Sequence, residues 1–216
     1  MIHYYFNMSQ TVHINENGSY LITMDKFLNK EQSDDLFIKC KNLNLVTEPK
    51  VRMGICHRRV GFYSDISTGY RFAGQIAMAN PLPDFLKENM GIVNQSLINF
   101  NVILNATLIN HYRDGSDYIG SHSDDEKGLN NKLVAAISLF NPDTENGFRK
   151  FRIRRKNGSK FINDQVESNY MDIITSHGQL LVMAGDFQKH FKHEVPEEKS
   201  NSNPERISIT YRSHYI

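Results

Sequence analysis

Several features that would classify the chain are scarce or missing. Its 216 residues include only two cysteines, Cys40 and Cys56, which cannot form the framework of a small disulfide-rich secreted protein. No apolar run reaches the roughly 18 residues that a membrane helix needs. The first ten residues also lack the basic start and long apolar segment of a secretory signal. These absences favour a soluble, intracellular protein of the nucleus or the cytoplasm.

An excess of charge of either sign is missing as well. The chain has 25 Lys and Arg against 24 Asp and Glu, a formal net charge of +1, which excludes a histone-like protein that coats polyanions by bulk charge. Two stretches are nevertheless basic, because residues 149–160 and 50–59 contain eleven basic residues and no acid. The near-neutral total therefore predicts a localised basic rim on a more acidic body.

The length and the pattern of the chain predict one domain over residues 1–216, which we expect to be monomeric, with residues 1–20 as a loose N-terminal arm. Asn29 with Gln32 three residues later is typical of a capping box and predicts a helix, and a second helix is predicted after Pro83.

The second half of the chain is rich in strand signals. Short runs of β-branched and aromatic residues are separated by clusters of Gly, Asn, Asp and Ser. These runs are ATLINHYR, KLVAAISLF, FRKFRIRR, QLLVMA and RISITYR. Helices followed by strands indicate an α+β fold, in which a sandwich or open barrel is supported on one side by helices.

The last run separates two kinds of side chain by alternation. Ile207, Ile209 and Tyr211 share one face of the strand, and a polar face alternates with them: Arg206, Ser208, Thr210 and Arg212. Two interpretations stay open. The strand lies at the surface with its arginines in water, or both arginines lie inside a polar barrel mouth, where each guanidinium needs an anion.

A metal site is indicated by three residues. His122 and Asp124 are two apart and project from the same face of an extended segment, and His193 follows 71 residues later. Two imidazoles and one carboxylate form the facial triad of non-haem Fe(II) oxygenases, although zinc in a hydrolase uses the same ligands. His190 is a rival for the distal position. A histidine in a turn beside solvated acids is the structural alternative.

The basic run FRKFRIRRK has no purely apolar face, which predicts an exposed edge strand or hairpin. Its lysines and arginines either prevent edge-to-edge aggregation or contact phosphates without reading a base sequence.

Taken together, these stretches resemble the AlkB-type Fe(II)/2-oxoglutarate-dependent dioxygenases, which are oxidative demethylases of nucleic-acid bases. The resemblance runs from about residue 51 to 216 and is carried by LINHYRDGSDYIGSHSDDE, SHGQLLVM, HFKHEVP and RISITYR. It implies a double-stranded β-helix, or jelly-roll, core with supporting N-terminal helices. It also implies Fe(II) as cofactor, with 2-oxoglutarate and O₂ as co-substrates.

The resemblance assigns roles to residues of this chain. By similarity the iron ligands are His122, Asp124 and His193, and Arg206 pairs with the far carboxylate of 2-oxoglutarate. Arg212 lies nearer the metal, where it touches the oxo-acid end of 2-oxoglutarate or the substrate, and it is assigned both a catalytic and a co-substrate-binding role. The remaining co-substrate positions are Asn110, Tyr112 and Ser208. The family has Asn at the last of these, where the shorter serine of this chain can still donate one hydrogen bond but reaches less far.

The resemblance also implies a substrate lid over residues 50–80, in which Tyr70 and Phe72 match positions that stack on a flipped base. A Tyr-x-Phe pair is equally typical of one face of a core strand. Two acids, Asp125 and Glu126, are candidates to meet the amine or positive charge of a methylated base, unless they form a solvated turn. The candidate phosphate contacts are Arg58, Arg149 and Arg154.

The implied function is oxidative demethylation of N-alkylated bases, such as 1-methyladenine or 3-methylcytosine, in DNA or RNA, as in the repair of alkylation damage. The products are formaldehyde, succinate and CO₂, and the expected partner is alkylated nucleic acid. Two alternatives stay open: the same chemistry on a protein side chain, and a nucleic-acid-binding relative without turnover.

Overall fold

The computed structural model describes residues 9–46, 50–51, 54–55, 57–72, 75–144, 147–163, 166–198 and 203–215, with backbone alone at 50–51, 54–55, 70–72, 75–77 and 163. In chain order, the elements of these residues are β1 (Gln10–Glu16), β2 (Ser19–Met24), α1 (Lys30–Lys41), β3 (Lys50–Val51), β4 (Gly54–Ile55), β5 (Arg59–Tyr63), β6 (Gly69–Phe72), β7 (Gln75–Met78), α2 (Asp84–Ser96), a 3₁₀ turn (Ile98–Phe100), β8 (Ala106–Tyr112), β9 (Ile119–His122), β10 (Leu129–Phe140), β11 (Arg149–Arg155), β12 (Phe161–Asn163), β13 (Val166–Ser168), β14 (Met171–Thr175), β15 (Gln179–Gly185), α3 (Phe187–His190), β16 (Phe191–Val195) and β17 (Arg206–His214).

A seven-stranded antiparallel sheet forms the base of the molecule, in the order β1-β2-β15-β10-β17-β8-β5. The prediction of a loose arm over residues 1–20 is wrong for residues 10–20, because β1 pairs with β2 at the border of this sheet. Residues 1–8 lie outside the described part of the chain.

A second, four-stranded sheet in the order β14-β11-β16-β9 covers one face of the first. The two sheets share one apolar cluster, in which Val134 and Met183 of the larger sheet pack with Phe151, Ile153 and Phe191. Two antiparallel sheets packed face to face around a common core form the predicted jelly roll. The predicted edge position of FRKFRIRR is wrong, because β11 lies between β14 and β16.

Both predicted N-terminal helices are present and pack on the other face of the large sheet. In α1 the Asn29 side chain accepts from the Gln32 backbone and the Gln32 side chain accepts from the Asn29 backbone, which completes the capping box. Helix α2 begins directly after Pro83. Apolar side chains of both helices join one cluster with Ile209 and its neighbours on the apolar face of β17.

The packing of both faces explains the alternation along β17. Its apolar residues meet the helices, so the polar residues must point into the space between the two sheets. Of the two interpretations left open by the sequence, the buried one is found, since Arg206 is 2% exposed and Arg212 is 4% exposed. No helix among the described residues is long and apolar enough to cross a membrane.

Candidate active site

The three predicted metal ligands converge at one end of the space between the sheets. Strands β9 and β16 are neighbours in the small sheet, and their register sets His122 directly opposite His193. Asp124 follows β9 and returns its carboxylate between the two rings, with His122 Nε2 3.8 Å from Oδ1 and His193 Nε2 3.8 Å from Oδ2. Within the described residues they form the one group of three such side chains whose ligand atoms all lie within 4.8 Å. The rival His190 ends α3 and is not in this group.

Hydrogen bonds fix the orientation of these ligands. His122 Nδ1 donates to the carbonyl of Gly120 at 2.9 Å, which leaves Nε2 as the lone-pair nitrogen on the side of Asp124. The Asp124 backbone N–H donates to the side-chain oxygen of Gln188 at 2.9 Å. Arg212 Nη2 donates to Asp124 Oδ1 at 2.7 Å.

The charge states of the three residues suit a metal. Burial lowers the pKa of His122, and burial together with His122 lowers the pKa of His193 to about 3, so both rings are neutral at physiological pH. Burial opposes the ionisation of Asp124, but Arg212 beside it holds the pKa of this carboxyl below its ordinary value. Asp124 Oδ2 is buried without a hydrogen-bond partner among the described residues. Two neutral imidazoles and one carboxylate with an unused oxygen match the donor set that Fe(II) takes in facial triads.

A buried cation lies deeper in the same cavity. Arg206 Nη2 donates to Ser138 Oγ at 2.9 Å, and its guanidinium lies 5.2 Å from the Tyr112 ring centroid. In the described part of the chain no carboxylate lies within 4 Å of it, and burial lowers its pKa to about 10. A guanidinium in this setting is costly unless an anion joins it, and a carboxylate matches its fork.

A polar row across three strands forms the wall beside this cation. Ser208 of β17 is in register with Asn110 of β8 on one side and with Ser138 of β10 on the other. All three residues line the cavity, whose empty volume is about 530 Å³ including its opening. Arg58 Nε donates to Asn110 Oδ1 at 2.7 Å. Arg58, a candidate phosphate contact, therefore supports the cavity wall with that nitrogen.

The prediction that Arg149 contacts substrate is wrong, because this residue is 0% exposed. Its guanidinium donates to four main-chain carbonyls: those of Asp114, Gly115, Asp117 and Pro196. The first three precede the strand that carries His122, and Pro196 follows the strand that carries His193. Arg149 therefore joins the two chain segments that hold the metal-ligand candidates.

The basic stretch 149–160 is paired with acids along its whole length. Each of its seven basic side chains has a carboxylate within 4 Å, and the partners are Glu16, Asp125, Glu167, Asp172, Glu194 and Glu198. Arg154, the third candidate phosphate contact, is held by Glu194 at 2.9 Å. The predicted basic rim is thus a set of ion pairs at this stretch, and its charge is no longer an argument for a nucleic-acid partner.

The remaining substrate candidates are only partly visible. The side chains of Tyr70 and Phe72 lie outside the described residues, although their backbone forms strand β6. Asp125 is exposed and pairs with Lys156 at 3.1 Å, and Glu126 is partly buried one residue further on.

Sequence reasoning missed two residues that the cavity and its ligands depend on. Ser138 could have been found, because a lone serine on the inward face of the otherwise apolar run KLVAAISLF indicates a polar contact. Gln188, which orients Asp124, has no signal in the sequence, since its partner lies 64 residues away.

Comparison with known proteins agrees with this geometry. A sequence model of the 2OG-Fe(II) oxygenase superfamily matches residues 20–212. The chain is 30% identical over 173 residues to alpha-ketoglutarate-dependent dioxygenase alkB homolog 3 of Mus musculus. The aligned region covers 77% of this chain and 57% of the relative. It is also 29% identical over 158 residues to DNA oxidative demethylase ALKBH2 of Bos taurus, and this aligned region covers 72% of this chain and 52% of the relative. The chain thus spans little more than half the length of these relatives.

Two solved structures are similar in fold. The structure of OsALKBH1 matches with a TM-score of 0.58 and 17% identity, covering 94% of this chain and all of that one. A prolyl-4-hydroxylase of Pseudomonas putida matches with a TM-score of 0.51 and 16% identity, covering 91% and 93%. The predicted double-stranded β-helix and the predicted AlkB-like resemblance are both confirmed.

Proposed function

The chain belongs to the 2OG-Fe(II) oxygenase superfamily, and on that premise we propose that it oxidatively demethylates N-alkylated bases, of the 1-methyladenine and 3-methylcytosine type, in DNA or RNA. The observation that carries the proposal is the buried Arg206, which has no carboxylate partner among the described residues and lies in the same cavity as the His122, Asp124 and His193 group. The choice of alkylated bases as substrate is supported by the AlkB-type relatives.

His122, Asp124 and His193 would hold Fe(II), and their neutral rings and ionised carboxylate are the forms that bind it. When bound, iron with 2-oxoglutarate and O₂ supplies the oxidation of an N-methyl group, and formaldehyde, succinate and CO₂ are released. The protein's own contribution is to position these groups and to exclude water.

Different residues of the cavity would bind different parts of the co-substrate. Arg206 would bind the far carboxylate with its fork, and Ser138 holds that guanidinium in place. Asn110, Tyr112 and Ser208 would line the remaining length of 2-oxoglutarate. Arg212 would keep Asp124 ionised and oriented through its 2.7 Å hydrogen bond.

The base would enter from the side of Asp125 and Glu126, which follow Asp124 directly. A carboxylate there would accept from the exocyclic amine of the base or offset its positive charge. The predicted lid over residues 50–80 cannot include residues 59–63, because these form β5 of the large sheet. Tyr70 and Phe72, on strand β6 of the remaining segment, would stack on the flipped ring.

The test is release of succinate and formaldehyde by the iron-loaded protein on matched single- and double-stranded DNA and RNA oligonucleotides, methylated or not, and on a methylated peptide. We expect equal amounts of both products with the methylated oligonucleotides, and neither product with the unmethylated oligonucleotides or the peptide. A matched pair of variants uses two arginines of the jelly roll: Arg206→Met should abolish turnover at low 2-oxoglutarate, and Arg152→Met should not. Turnover on the peptide only, or on no substrate, would contradict the proposal.

A further inference from the structure

An exposed pair of stacked rings lies beside the cavity. The rings of His57 and Tyr118 have centroids 5.5 Å apart and planes inclined by 26°. His57 is exposed and Tyr118 is 36% exposed. We propose that this pair is a stacking platform for an unpaired nucleobase that neighbours the base to be oxidised, a proposal that rests on the function proposed above.

The platform is connected to the cavity on both sides. His57 precedes Arg58, whose side chain donates to Asn110 in the cavity wall. Tyr118 precedes Ile119, which lines the cavity, and is four residues from His122. Four residues of extended chain span at most about 14 Å, so the Tyr118 backbone lies no further than that from the metal-ligand candidate His122.

The main chain on which the two rings stand is fixed by hydrogen bonds. Arg113 donates to both carboxylate oxygens of Asp117, at 2.9 Å from Nε and 2.8 Å from Nη2, and Nη2 also donates to the His57 carbonyl at 2.8 Å. Asp117 is fully buried, and Arg149 holds the main chain of the same loop from inside. A rigid aromatic surface of this kind loses little conformational entropy on binding.

The ion pairs of the nearby cations bear on which kind of nucleic acid the platform binds. The basic side chains of residues 149–160 have carboxylate partners, and Arg113 is engaged by Asp117, so these cations offer little to a phosphate backbone. Ring stacking, which every base provides irrespective of sequence, supplies affinity that does not depend on these cations. A base of a single strand can turn its face to the rings at a small cost in stacking, whereas a base inside a duplex must also be unpaired. The occupant is therefore a single strand.

The chain contains no tryptophan, which allows a direct test of stacking without turnover. Tyr118→Trp would introduce a sole indole into the platform, and its fluorescence would be titrated with an unmethylated single-stranded oligonucleotide. We expect saturable quenching that is largely lost with an abasic oligonucleotide of the same length and with a blunt duplex. Tyr170→Trp is the control, since Tyr170 is similarly exposed but lies against Arg152 on the small sheet.

A kinetic test separates the platform from a merely structural pair. Tyr118→Ala should raise KM for a methylated single-stranded oligonucleotide by about 5- to 150-fold, the range of base–aromatic stacking. The values of KM for 2-oxoglutarate and for the methylated mononucleoside, which has no neighbouring base, should stay unchanged. Tyr118→Phe should restore the wild-type KM, and His57→Ala should reproduce part of the defect.

The outcomes are distinct for the two proposals. Equal quenching by the abasic strand, or an equal loss of mononucleoside and oligonucleotide turnover in Tyr118→Ala, would overturn the platform. A wild-type protein that releases no succinate with any methylated oligonucleotide would overturn the demethylase function, while the fluorescence titration would still decide whether the rings bind single strands.

Discussion

Strands β11 and β17 each carry more than one arginine, but the surroundings of these arginines differ. In β11 the side chains of Arg152 and Arg154 each meet a carboxylate, and Arg149 donates to a set of main-chain carbonyls. In β17 Arg212 meets Asp124, and Arg206 meets a serine hydroxyl and an aromatic ring. Arg206 is thus the buried guanidinium of the two strands without a carboxylate within 4 Å among the described residues.

The difference shows which property of an arginine indicates a ligand. A high density of positive charge does not indicate a ligand, because the most basic stretch of the sequence is paired with acids from six other positions of the chain. Burial without a matching anion does, because a desolvated charge destabilises the fold unless a binding partner offsets that cost. Replacing one arginine of each kind tests this distinction.

The largest effect is expected from Arg149→Met. This change removes a donor from several buried carbonyls at once, so the free energy of unfolding should fall by about 3–5 kcal/mol. Chemical denaturation monitored by circular dichroism would measure it. Lys150→Met is the matched control on the same strand, because this side chain is 41% exposed and its ion pair with Glu198 spans 3.6 Å, so the loss should stay below about 1 kcal/mol. Equal stability of the two variants would show that the carbonyl contacts of Arg149 contribute nothing special.

For Arg206→Met we expect a loss of co-substrate binding without a loss of stability. The free energy of unfolding should stay constant or rise, because an unmatched buried charge is replaced by an apolar chain. KM for 2-oxoglutarate should increase roughly 100-fold, since the bidentate contact to its far carboxylate is lost.

Ligand-induced stabilisation gives a second readout for Arg206. Saturating 2-oxoglutarate should raise the Tm of the metal-loaded wild-type protein but not that of Arg206→Met. Arg206→Lys should recover part of the affinity, because it keeps the charge without the planar fork. A Tm shift that survives Arg206→Met would mean that the co-substrate carboxylate binds elsewhere.

A smaller effect, on pH dependence, is expected at the end of β17. Burial, and then Arg212, lower the pKa of His214 to about 4, below the value of about 6.5 in an unfolded chain. Between these values the unfolded state binds more protons than the folded state. Stability from this group is therefore complete above pH 6.5 and is lost as the pH falls towards 4.

His214→Phe tests this titration. Phenylalanine keeps a ring against Phe62, whose centroid lies 5.4 Å from that of His214, but it takes up no proton. The variant should therefore lose less stability than the wild type between pH 6.5 and 4, as measured by urea unfolding at several pH values. Parallel curves would contradict the shifted pKa.

How far the sequence predicts this molecule depends on the range of each interaction. The capping box at Asn29, the alternation of β17 and the His-x-Asp pair are local patterns, and local patterns fix side-chain faces before the fold is known. The partners of β11 are not local: Arg152 and Arg154 meet acids 20 and 40 residues away. The distribution of charged residues along the sequence therefore shows which cations are present, but it does not show which of them are paired with acids in the folded protein.

The smallest effect is expected from Arg154→Gln, and it decides between the two views of β11. If Arg154 contacts a phosphate, its removal should reduce the salt dependence of oligonucleotide binding by about one unit of slope. Since Glu194 holds this side chain at 2.9 Å, we expect the slope to stay within experimental error of the wild type. The measurement is the dissociation constant of a single-stranded oligonucleotide at several salt concentrations. Glu194→Gln is the matched variant, and by releasing Arg154 it should steepen the slope. An unchanged slope would show that the ion pair is not what prevents Arg154 from contacting nucleic acid.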